Sequence, residues 1–122
     1  MLAAHAELIL LITGLATAGA LALVVAPAPL MKRVFGQAPA DPLGVSIARH
    51  WALLIFLVGA LVVYAAYRPE VRVPTLIVAV VEKAAFVVLM LTSPLRRRPA
   101  VMVMALADAG MAALYGIILT GL

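Results

Sequence analysis

Cysteine and asparagine are absent from this 122-residue chain, and charge is scarce. Without cysteine there is no disulfide, no thiolate metal site and no thiol nucleophile. Charged residues make up 11% of the chain, where a soluble domain carries about 25%. Also missing are GxSxG, HExxH and a phosphate-binding glycine loop. Aromatic residues are few, at 6%, with a single tryptophan.

What is present in excess is apolar: 67% of the residues are hydrophobic. A soluble domain of this length could not bury so much apolar surface, because surface area falls off slowly as a protein becomes smaller. Lipid is therefore the expected solvent, and the length allows one domain over residues 1–122.

Four apolar runs divide the chain: Ala6–Ala26, Val45–Tyr67, Pro74–Thr92 and Ala100–Leu122, with the last span taken as 100–121. A hydrocarbon core of about 30 Å needs about 20 helical residues, and each run fits. Period-two alternation is lacking, and four strands cannot close a barrel in lipid, so the expected fold is an all-α, four-helix transmembrane bundle. All eight prolines fall at the ends of runs or between them, as helices require. The two later connections, Arg68–Val73 and Ser93–Pro99, are short and imply antiparallel neighbours. The longer one, Pro27–Gly44, contains PLMKRVFG (Pro29–Gly36). Its Leu30, Met31, Val34 and Phe35 fall on one side and Lys32 and Arg33 on the other, as in a short interfacial amphipathic helix. The first run lacks a positive n-region and is longer than a signal-peptide core, so a retained helix is expected.

The net charge of +4 reads as membrane topology, since the basic residues sit in the connections. No zinc pattern and no interleaving of aromatic and basic residues suggests nucleic acid. Lys32, Arg33, Arg96, Arg97 and Arg98 lie on one side, with Arg49 at its edge, against Arg68 and Arg72 on the other. The positive-inside rule puts the first side in the cytoplasm and both termini outside.

Glu82, Lys83 and Asp108 interrupt the third and fourth runs. Charges at such depth are costly, about 2.5–3.5 kcal/mol each on insertion scales. At 1.5 Å per residue, Glu82 and Lys83 lie about 13–15 Å from the cytoplasmic edge and Asp108 about 12 Å. Arg49 and His50 enter the second run from the same side. The expectation is a net-neutral cluster of Glu82, Lys83, Asp108 and Arg49, with Glu82 and Lys83 pointing about 100° apart toward different neighbours. Small residues Ala105, Ala109, Ala112 and Gly116 share a stripe with Asp108 and would pack it into the bundle. Gly14, Gly19 and Gly59 carry no particular signal. Met104, Met111 and Tyr115 border the stripe, and Phe86 shares a face with Glu82, so these four are candidate cavity walls. Trp51 fits an interfacial anchor or a ligand contact, and His50 a structural hydrogen bond or an acid–base role. Tyr64, Tyr67 and Tyr115 read as belt residues at the external side. A metal site is not expected, because only one histidine lies near the carboxylates, and nothing calls for a cofactor.

Two physical readings of the charges stand side by side. They pair and fix helix register, or they form a polar site in an apolar pocket, where a carboxylate away from water can exchange protons near neutrality. The arrangement FG (Phe35–Gly36), DPLG (Asp41–Gly44), ARHW (Ala48–Trp51) and then a short charged turn resembles small four-span bacterial membrane proteins of the DoxX-like kind. That resemblance covers the layout of the whole chain and implies a bacterial inner-membrane protein without an assigned activity. Three functions follow as expectations. The first is binding of a hydrophobic or lipid-like molecule, with proton-coupled transport by a homo-oligomer as its extension. The second is a membrane-embedded isomerase or cyclase using Glu82, Asp108 and His50 as acid and base. The third is a structural subunit of a membrane complex.

Overall fold

Proline sets most of the element boundaries. The computed structural model describes residues 5–121, which form six α-helices and no strand. They are α1 (Ala6–Ala18), α2 (Leu21–Val25), α3 (Pro27–Phe35), α4 (Pro42–Tyr67), α5 (Arg72–Leu91) and α6 (Pro99–Thr120). Pro27, Pro42 and Pro99 each occupy the first position of a helix, where the missing N–H would have had no partner. Pro69 and Pro94 open the 3-10 turns Pro69–Val71 and Pro94–Arg97.

Side chains complete the ends. Asp41 caps α4 by accepting from the Gly44 N–H at 2.8 Å, and Ser93 accepts from the Leu95 N–H at 3.0 Å. Arg72 donates to the carbonyls of Ala65 and Ala66, both at 2.8 Å, and so satisfies the last turn of α4. Gly36 closes α3 in the left-handed region at φ 80°, and a Cβ there would lie 2.9 Å from the Arg98 guanidinium carbon. The positive φ is what calls for glycine, since the Arg98 side chain could move aside.

The first span, Ala6–Val25, is not one uninterrupted helix. Between α1 and α2 the backbone tightens: Ala20, Ala22 and Leu23 donate three residues back, to Thr17, Gly19 and Ala20. Thr13 and Thr17 each turn a hydroxyl onto the carbonyl four residues earlier, at 2.7 and 2.9 Å, a bond that bends helices. Gly19 follows directly.

The helices pack as two pairs, α1 on α4 and α5 on α6, with α4 and α5 forming the seam between the pairs. The α1–α4 crossing is close because glycine faces glycine. A Cβ on Gly14 would sit 2.8 Å from Val63 Cγ2, and one on Gly59 would sit 2.8 Å from the Gly14 carbonyl. These positions, unremarkable in the sequence, set the interhelical distance. The α6 stripe behaves otherwise. Ala105 is buried, but Ala109 is exposed, and a Cβ on Gly116 would meet nothing within 4 Å. Part of that stripe faces outward, where small residues meet no neighbour.

The two ends of the bundle differ. Toward the start of α1 lies a continuous core of Leu10, Val62, Leu76, Tyr115 and Ile118 with alanines between. Toward α3 the helices hold cavities. Tyr115 belongs to the closed half: it is fully buried, not a belt residue, and its hydroxyl donates to Thr13 Oγ1 at 2.6 Å. Tyr64 and Tyr67 are exposed. Four helical segments are long and apolar enough to cross a bilayer, Ala6–Val25, Pro42–Tyr67, Pro69–Leu91 and Pro99–Thr120. Only 17–22% of each one's most apolar stretch is buried, leaving Leu8, Ile12, Leu57, Val81 and Leu106 among many outward-facing apolar side chains. Water does not tolerate such a surface and lipid requires it. The chain is an integral membrane protein. Amphipathic α3 lies across the open end, with Phe35 buried and Lys32 and Arg33 exposed.

Candidate functional site

Lys83 is the best-buried charge in the described residues, with 2% of its side chain exposed. It sits on the inward face of α5 with Leu76, Ala79 and Phe86. Its ammonium donates to Thr17 Oγ1 of α1 at 2.9 Å and to Asp108 Oδ1 of α6 at 3.2 Å. One side chain therefore ties three helices together. Thr17 passes its own proton to the Thr13 carbonyl at 2.9 Å, and Thr13 receives Tyr115 on its hydroxyl. Thr13 and Thr17 stand four residues apart and so present one polar edge of α1 to α5 and α6.

Glu82, one residue earlier, is turned about 100° away, as helical geometry requires. It points toward α4. Glu82 Oε1 lies 3.9 Å from the Lys83 ammonium, beyond hydrogen-bond range, and it is buried with no hydrogen-bond partner. With all three ionised, the formal charges of Glu82, Lys83 and Asp108 would sum to −1.

These groups form one wall of a cavity of about 340 Å³ bounded by all six helices, with α3 contributing Val34. The remaining wall is apolar, with Leu23, Ile55, Phe86, Met104 and Met111. Ala16 and Ala107, both exposed, stand at its rim on α1 and α6. A second cavity of about 300 Å³ follows the α4–α5 seam and shares Glu82, Ile55 and Phe86. A third, of about 440 Å³, lies under α3 and is bounded by Met31, Phe35, Gln37, Met90 and Leu95. Trp51 lines all three. Its ring stacks on Phe86, with centroids 6.5 Å apart and an interplanar angle of 16°, and meets Phe35 at 6.1 Å. This aromatic column contributes to the lining of all three cavities.

The residues singled out by sequence divide clearly. Glu82, Lys83 and Asp108 meet, and Trp51, Phe86, Met104 and Met111 line the same cavity. Arg49 does not join them. It is exposed, and its guanidinium donates to the Val24 carbonyl at 2.9 Å, satisfying the end of α2. The expected group of four is thus a trio without Arg49. His50 is exposed and lines none of the three cavities, which leaves the carboxylates without the expected imidazole. Tyr115 lines none of them either and reaches the site only through Thr13. Thr13 and Thr17 escaped the sequence reading; their signal was the i, i+4 spacing of two hydroxyls in an otherwise apolar helix. Among the described residues, no three His, Asp or Glu side chains come close enough to hold a metal ion.

An apolar chamber with Lys83 paired to two carboxylates, one of them closely and one without a hydrogen bond, can hold an amphiphilic molecule and anchor its polar end. Searches against protein-family models, curated proteins and solved structures find no match to this chain.

Proposed function

We propose that this membrane protein binds a hydrophobic or lipid-like small molecule in the 340 Å³ cavity, with the ligand's polar end at Glu82 and Asp108 and its tail along Met104, Met111 and Phe86. The observation that carries this reading is the buried Glu82 Oε1, which has no hydrogen-bond partner and lines the cavity. A buried acceptor left unsatisfied is costly, and a ligand that donates to it recovers that cost. The rim alanines offer access from the lipid side, between α1 and α6. Exchange of a proton at Glu82 is the step through which binding would be coupled to transport, and a homo-oligomer would supply the volume that four spans lack.

The host membrane in this reading is a bacterial inner membrane, in keeping with the resemblance to DoxX-like proteins. The basic end, with Lys32, Arg33, Arg96, Arg97 and Arg98, faces the cytoplasm. At the other end Arg68 is paired with Glu70 and Arg72 is committed to helix carbonyls, which deepens the asymmetry. A single cysteine replacing Arg97 should then react only with reagents applied from the cytoplasmic side.

One observation favours a structural role as well: Lys83 joins α1, α5 and α6 whether or not a ligand is present. The two readings separate on Ala107→Trp, which fills the cavity rim without touching the ion pair. Purified protein should show a melting temperature that rises with added lipophilic ligand, since a ligand that binds only the folded state stabilises it. Ala107→Trp should fold and lose that rise. Equal stabilisation of both proteins, or of neither, would remove the binding reading and leave the structural one.

A further inference from the structure

The charge balance of the cavity selects among amphiphiles. Lys83 is its one cation, and that ammonium is already engaged by Thr17 and Asp108. The other basic groups near this level of α4 do not contribute: Arg49 is turned to the Val24 carbonyl, and His50 is exposed. Lys32 and Arg33 are on the outer side of α3. Glu82 is left with a buried oxygen that has no hydrogen bond, 3.9 Å from the Lys83 ammonium. Beside it stand two aromatic faces, Trp51 and Phe86, stacked on each other and lining the same cavity as Glu82. A carboxylate and aromatic faces around an apolar chamber both attract a positive charge, the first by a charge-assisted hydrogen bond and the second through the ring quadrupole.

We infer that the ligand class is a lipophilic amine, bound with its protonated nitrogen between Glu82 and the Trp51–Phe86 stack and its alkyl or ring portion against Met104 and Met111. The inference rests on the cavity being a ligand site. A fatty carboxylate would bring a third negative charge to a site holding two. A fatty alcohol could donate to Glu82 but would leave the excess charge uncompensated. An amine meets both needs.

Trp51 is the only tryptophan of the chain and lines the cavity, so its fluorescence reports occupancy directly. Bromine-labelled undecyl chains ending in an amine, an alcohol or a carboxylate quench tryptophan on contact. They are titrated into the protein in neutral-lipid nanodiscs. The amine should quench saturably with an affinity about tenfold above the alcohol, the gain of an ion pair over a hydrogen bond to the same carboxylate, and the carboxylate should bind weakest. Glu82→Gln should remove the advantage of the amine over the alcohol, weakening the amine strongly and the alcohol only slightly. Alcohol or carboxylate binding as tightly as the amine would overturn the inference while leaving a hydrophobic binding site standing. So would a Glu82→Gln protein that keeps the amine preference. Absence of saturable quenching by all three would overturn the binding function together with the inference. The head-group comparison is made on the unmodified protein, so it decides the matter even if Glu82→Gln does not fold.

Discussion

Lys83 owes its place to two hydrogen-bond partners from other helices and one carboxylate on its own. Thr17 and Asp108 accept from its ammonium, and Glu82 lies just outside hydrogen-bond range. Removing a buried cation leaves its carboxylates uncompensated, which typically costs about 3–5 kcal/mol, whereas removing both ends of the pair costs far less. Lys83→Met should therefore lower unfolding stability strongly in a denaturation series, and Lys83→Met with Asp108→Leu should recover much of the loss. Additive effects of the two substitutions would mean that the contact is not energetically coupled. The level of these residues was legible in the sequence because a helix converts residue number into depth at a fixed rise. Their azimuth was legible only in part. Ala48 and Ala52 lie on the buried face of α4, and Arg49 is one step, about 100°, from it. A single residue of rotation separates a member of the charged group from a cap on α2.

At the scale of the helix, small residues play two opposite parts. Gly14 and Gly59 bring α1 and α4 together, while Gly116 has open space where a side chain would be. Gly59→Ala should force the pair apart and destabilise by about 1–3 kcal/mol, as overpacking does. Gly116→Ala should be neutral or stabilising by up to about 1 kcal/mol, because alanine favours the helix. Thermal unfolding of the two variants compares them directly, and equal effects would contradict the packing described here. The sequence drew attention to the small-residue stripe of the fourth run and none to Gly14 and Gly59, and it did not say which small residues had a partner. Alternation of polar and apolar residues normally makes that distinction, and in lipid both faces are apolar. The amphipathic α3 was readable for the opposite reason: Lys32 and Arg33 face away from Phe35, and that contrast survives at an interface. Its start at Pro27, two residues before the expected segment, reflects the fit of proline to a first helical turn.

Across the whole molecule, a closed half and an open half share one bundle. The closed half holds Leu10, Val62, Leu76 and Ile118 in a continuous core, capped by the Tyr115–Thr13 bond. The open half holds the ion pair, the aromatic column and the cavities under α3. The number of spans followed from hydropathy alone, since each backbone polar group in lipid must be satisfied within its own helix. The division into halves did not, because cavities arise from how the α1–α4 and α5–α6 pairs sit against each other, and hydropathy carries no trace of that. The central claim is that the cavity beside Glu82 and Asp108 receives a ligand. Photocrosslinking tests it most directly. A diazirine-bearing alkylamine, irradiated with the protein in nanodiscs and mapped by peptide mass spectrometry, should label Trp51, Met104, Ala107 and Met111, and excess unlabelled amine should suppress that labelling. Labels spread over the outward faces, at residues such as Leu8, Leu57 and Val81, with no suppression by competitor, would contradict the account.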